Sequence, residues 1–187
     1  MLGGMRLPGC LKVLAEWDGR FDRYVYAKRD VAKLLGESGD VLSATLSRLV
    51  KAGVLVRAAH GVYVYAYSRH VAEANTVHLI ARSLRRGCVT YESLESALFS
   101  YGVISQVPVG HTMYMTTGRS GAYDTPYGSI EFTHTKRGVG DILPGLKYPQ
   151  GCALPLASRR MAVDDLRHVG RNLDLVREME DADEPES

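Results

Sequence analysis

Between residues 28 and 65 the spacing of apolar residues switches from three-and-four to a β-type run, and that switch restricts the fold more than any other feature. Over residues 40–53, Leu42, Leu46, Leu49 and Val50 fall on one side of a 3.6-residue helix, while Ser43, Ser47, Arg48 and Lys51 lie largely outside that stripe. Ser38 or Asp40 can accept the open amide hydrogens of the first turn. Gly53 permits a left-handed exit, with Lys51 close to the negative helix end. Upstream, residues 28–35 carry Val31, Leu34 and Leu35 as a short apolar face and stop at Gly36. Downstream, residues 54–57 and 62–65 are β-branched and aromatic runs around the turn Ala58-Ala-His-Gly61. Helix, short turn, helix, glycine and hairpin in that order predict a winged helix-turn-helix, whose second helix enters a DNA groove.

The side chains left outside the apolar stripe are the candidate contacts. Ser43, Thr45, Ser47 and Arg48 are expected on the recognition helix, with Arg48 the best placed for a guanine or a phosphate. Lys51, Arg57, His60 and Gly61 are expected to hold the backbone around the wing, and Lys28 and Arg29 to add phosphate contacts from the preceding helix. Singly, Arg48 or Lys51 is an ordinary solvated charge and His60 ordinary turn chemistry. The ordered set is what points to DNA.

Charge follows the same segment. The net charge of +2 says little, but residues 1–70 hold 11 Lys and Arg against 6 Asp and Glu, residues 71–150 hold 7 against 6, and residues 151–187 hold 5 against 9. A basic front would steer a polyanion and make its affinity fall with salt. The 187 residues suffice for two small domains. We expect a DNA-binding domain over residues 1–70, a mixed α/β domain over 71–177 and an acidic, disordered tail over 178–187, giving an α+β fold class. Cys10, Cys88 and Cys152 are odd in number and lack paired spacing, so they read as small buried hydrophobes in a reducing compartment. No apolar run is long enough for a membrane span and the start lacks a signal-peptide core, so the expected location is cytoplasmic, with no membrane partner.

Around the helix pair, residues 7–17 read as a first helix opening near Pro8 and burying Leu11, Leu14 and Ala15. Residues 21–26 are either a short strand pairing with the wing or an ordered loop. Residues 68–86 read as a bridging helix, and Thr90 as the cap of a helix over 91–101 that closes at Gly102. Residues 111–117 and 128–135 are expected as antiparallel strands, with another short strand near 151–156 and a helix from Ser158 to about Arg167.

Enzyme chemistry finds little to stand on. Asp124, Glu131 and Lys136 lack the Glu-x-Lys spacing of a metal-dependent nuclease, and His111 with His134 would not complete a zinc site. Gly118-Arg-Ser-Gly121 is a turn without the lysine of a phosphate loop, and no nucleophile elbow or dinucleotide fingerprint occurs. The expectation is a protein without catalysis, cofactor or metal.

Four stretches go further. Leu46-Ser-Arg-Leu-Val-Lys-Ala-Gly-Val-Leu-Val56 and Gly61-Val-Tyr-Val64 occur across many winged helices. More specific are Thr90-Tyr-Glu-Ser-Leu-Glu-Ser-Ala-Leu98 with Tyr101-Gly-Val-Ile-Ser105, and Thr125-Pro-Tyr-Gly-Ser-Ile-Glu-Phe132. Over residues 8–170 the chain resembles the AbiEi-type antitoxins, the transcriptional-regulator half of type IV toxin–antitoxin systems of phage abortive infection. The resemblance implies a repressor of its own operon that binds inverted repeats in promoter DNA, with Ser43, Ser47, Arg48 and Lys51 facing the duplex and Gly61 and Tyr63 in the wing. It implies a second domain that counters a nucleotidyltransferase-like toxin without a stable complex. Since one winged module covers a short site, two copies are expected to pair as a homodimer on the DNA. The chain departs from the family at Ala157-Ser-Arg-Arg-Met-Ala-Val-Asp-Asp165, where Arg159 and Arg160 replace a proline and a glutamate. It is also short for the family, so a regulator with a reduced antitoxin domain, or a stand-alone one, is expected alongside a full antitoxin. The alternative is a protein-binding antitoxin or adaptor with the winged domain as scaffold.

Overall fold

The computed structural model describes residues 4–104 and 110–171; the acidic tail expected over 178–187 lies outside them. The chain divides into two compact units, Met1–Leu84 with Thr125–Tyr127, and Arg85–Asp124 with Gly128–Ser187.

In the first unit, Pro8 opens α1 (Leu7–Phe21), where its missing N–H is one that a helix start leaves unused. The buried stripe of α1 runs through Cys10 and Leu14; Leu11 is half-buried and Ala15 is exposed, so the inward face is rotated from the expected one. β1 (Val25–Ala27) settles the strand-or-loop question by entering a sheet. α2 (Lys28–Leu35) follows at once, its start held by Asp30, which accepts from the Ala27 amide at 2.9 Å and pairs with Arg23 at 3.3 Å. α3 (Gly39–Lys51) begins after Ser38, whose backbone caps the helix but whose hydroxyl makes no capping bond, and Asp40 lies within the first turn. Gly53 takes the expected left-handed conformation at φ 69°.

β2 (Leu55–Ala59) and β3 (Val62–Tyr65) form the wing, and the antiparallel order β1-β3-β2 makes a three-stranded sheet. A register shift between Arg57 and Ala59 lengthens β2, leaving only His60 and Gly61 for the turn, with Gly61 at φ 73°. The Gly61 carbonyl accepts the Lys28 amide at 2.8 Å, which ties the wing to the start of α2. Leu42, Leu46 and Leu49 are buried beneath α3. At roughly 1.5–3 kcal/mol each, an upper bound, they hold the helix with its polar arc outward.

Residues 68–74 are successive turns rather than the first part of a helix. The Ser68 hydroxyl is drawn to Asp18 at 2.6 Å, and the Val71, Glu73 and Thr76 amides each bond the carbonyl three residues back. α4 (Asn75–Leu84) therefore starts later than the spacing suggested, and it packs on β1 and β3 within the first unit.

In the second unit, Thr90 does not cap a helix. It lies in β4 (Thr90–Glu92), so α5 is shortened to Leu94–Ser100 behind Ser93. The cause is tertiary: β4 pairs antiparallel with β5 (His111–Thr116), and the Thr90 and Thr116 hydroxyls bond at 2.9 Å. β6 (Gly121–Thr125) lies between the two expected strands, and β7 (Gly128–His134) consequently runs parallel to β5, not antiparallel. One extra strand reverses the chain once more. α6 (Val139–Ile142), β8 (Leu146–Lys147), β9 (Leu156–Ala157) and α7 (Arg159–Val169) complete the unit, with sheet order β6-β7-β5-β4-β9-β8. Its core includes Tyr91, Leu94, Leu98, Met113, Met115 and Leu166, with α5 packed on α7. The architecture is α+β, a winged helix-turn-helix followed by a mixed α/β unit. Cys10 is buried as expected, but Cys88 and Cys152 are exposed.

Candidate nucleic-acid interface

Successive helical residues turn by about 100°, so burying Leu42, Leu46 and Leu49 forces the serines of α3 outward. Ser43, Ser47, Arg48 and Lys51 are all exposed. Between α3 and the wing lies a groove of about 360 Å³, lined by the Ser43 and Ser47 side chains, by Leu46, Val50 and Tyr63, and by three cations, Lys28, Lys51 and Arg57. Lys28 Nζ donates to Ser43 Oγ at 3.1 Å, and Ser43 Oγ donates to the Gly39 carbonyl at 3.0 Å. At the wing tip Arg57 Nη2 donates to His60 Nδ1 at 3.1 Å, leaving the His60 proton on Nε2 in that arrangement. Arg29 is exposed on the first turn of α2, beside Lys28. Three successive elements, α2, α3 and β2, thus deliver positive charge to one concavity.

Two expected contacts stand apart. Thr45 is 1% exposed and turned inward, where a Cβ on Gly4 would meet its hydroxyl at 2.6 Å. Helical geometry explains it, since Thr45 lies about 200° round from Ser43. Arg48 is on the outward arc, but its Nη2 donates to the Met5 carbonyl and, at 3.3 Å, to Thr45 Oγ1. The Met5 amide in turn donates to Glu37, so residues 4–6 are strapped along the flank of α3 by a residue expected to read a base. Sequence spacing carried no trace of that strap. Spacing places Val50 in the apolar stripe and the resemblance places Tyr63 in the wing, but neither marks them as lining this groove.

The remaining candidates lie in the second unit. His111 opens β5 and pairs in register with Ser129, whereas His134 ends β7 and pairs with Thr116, so parallel pairing puts the two histidines at opposite ends. Glu131 bonds His111 at 3.3 Å and the Arg171 guanidinium, and Asp124 accepts from the Ser129 hydroxyl at 2.8 Å. Among the described residues no group of three or more His, Cys, Asp or Glu is arranged to hold a metal ion, and no helix is long and apolar enough to cross a membrane. A buried junction does form. The Ser93 hydroxyl donates to Asp165 at 2.6 Å, and Arg137 pairs with the same carboxylate at 2.8 Å. Burial raises the Asp165 carboxyl above its ordinary value, against the Ser93 bond and the Arg137 charge. This joins the stretch around residues 90–98 to the one around 157–165.

No family model and no curated protein matches the chain. Among solved structures it is similar to the crystal structure of the RV2827C protein from Mycobacterium tuberculosis, with a TM-score of 0.57 and 15% identity over 88% of this chain and 63% of that one. The chain spans 63% of that protein's length, and at this identity the likeness is one of fold.

Proposed function

We propose that the protein is a sequence-specific DNA-binding regulator, its winged unit docking on duplex DNA through α3 and the wing. The observation that supports this reading most is the convergence of Lys28, Lys51 and Arg57 on one groove beside the Ser43 and Ser47 hydroxyls. Cations and hydroxyls at that spacing suit a phosphate backbone passing between a recognition helix and a wing. In the finer form, it represses its own toxin–antitoxin operon by binding inverted repeats as paired copies and also acts as the antitoxin. What supports that form is the AbiEi resemblance of residues 90–105 and 125–132. The test is a footprint on the DNA immediately upstream of the gene, at two salt concentrations. Protection of an inverted repeat that fades with salt supports the reading, and unprotected DNA at low salt overturns it.

A second reading has its own observation. Val139, Leu143 and Tyr148 are exposed apolar side chains within a short stretch of the second unit, which suits a protein-binding antitoxin or adaptor. Tight co-purification with a co-expressed neighbouring gene product, together with absent DNA affinity, would favour it.

A further inference from the structure

The outward arc of α3 is not uniform, and its parts face different neighbours. On one edge Ser43 meets the Lys28 ammonium in the groove beside the wing. On the other edge Arg48 is tied to Met5. Between those edges run Asp40, Ala44, Ser47 and Lys51, at steps of four, three and four residues, which keeps them on one line of a 3.6-residue helix. All four are exposed.

We propose that the first part of this midline, Asp40 and Ala44, reads the bases, and that Ala44 is the specificity-determining residue, selecting the C5-methyl of a thymine. The inference rests on the DNA-binding reading above. A carboxylate at Asp40 repels phosphates, so a helix docked through its midline must turn Asp40 to the base edges, where it accepts from an exocyclic amine of cytosine or adenine. One turn on, Ala44 offers a methyl group and no donor or acceptor. Its match in the major groove is the thymine methyl, the one apolar group that base edges present there. With Arg48 diverted to Met5, the fork that reads guanine is missing from the midline, and Lys51, which lines the groove, is left to the phosphates. The flanking cations in the groove supply affinity without choosing sequence.

The experiment uses the full chain and synthetic duplexes selected from a randomised pool. Each thymine of the selected duplex is replaced singly by deoxyuridine, which removes only the methyl. At one position per bound copy the replacement should weaken binding roughly four-fold, the factor for one buried methyl group. Ala44→Ser should erase that difference. Asp40→Asn, a second exposed change, should tighten binding to unrelated duplexes. A wild-type protein indifferent to deoxyuridine at every position, or an Ala44→Ser protein that keeps the difference, overturns the inference while leaving DNA binding intact. Retention of no duplex at low salt overturns the DNA-binding reading itself.

Discussion

Removing one groove cation gives a prediction that can be worked through in numbers. Lys28, Lys51 and Arg57 line the groove, and if each neutralises one phosphate they contribute a slope of about −2.7 to a plot of log affinity against log salt, at about −0.9 each. Raising salt from about 50 to about 200 mM should then weaken binding roughly 40-fold through these three alone. Arg57→Gln keeps much of the side-chain length and leaves two cations, so its slope should be shallower by about 0.9 and its loss over the same range near 12-fold. Arg29 and other charges add to both proteins and cancel in the difference. Fluorescence anisotropy with a labelled upstream duplex at four or more salt concentrations measures the slopes, and a circular-dichroism melt confirms that the variant folds. An Arg57→Gln slope equal to wild type would remove the wing from the backbone contact and refute the reasoning.

Other outcomes follow from the same geometry. Arg48→Ala should leave the salt slope unchanged but cost about 1 kcal/mol of stability, since its guanidinium holds Met5 and Thr45; a slope shallower by about 0.9 would make it a phosphate contact after all. Asp165→Ala strands Arg137 and the buried Ser93 hydroxyl. Breaking a buried pair costs about 3–5 kcal/mol, but Arg137 stays 29% exposed, so about 2–3 kcal/mol is expected in urea unfolding, and a loss under about 1 would contradict the assigned junction. His70 is held between Glu73 at 2.6 Å and Asp22 at 3.1 Å, and the Glu73 bond raises its pKa above the ordinary 6.5 against the opposing Arg69 charge. A raised pKa in the folded state means the imidazolium favours folding: that stability is full below pH 6.5 and is lost as pH climbs through the raised value. His70→Gln should flatten that part of the stability–pH curve, and an unchanged curve would exclude the histidine.

Periodicity alone determined the winged segment. Leu42, Leu46 and Leu49 at helical spacing, Gly53 at the exit and β-branched residues on both sides of Gly61 are local signals, each set by backbone geometry within a few residues. The serines of α3 and the lysines and arginines around them were legible for the same reason: once one side of a helix is known to be buried, the other is known to be exposed. What stayed hidden depended on neighbours distant in the chain. Thr90 became a strand residue because β5 pairs with it, and β7 ran parallel because β6 intervened. Arg48 turned to Met5, an approach across 43 residues that no spacing rule encodes. Ser93 and Asp165, 72 residues apart, met only when α5 packed on α7. Local patterns choose an element and its inward face, whereas which partner a polar side chain finds is decided by packing, because a buried or strapped group takes whatever acceptor the folded core brings within reach.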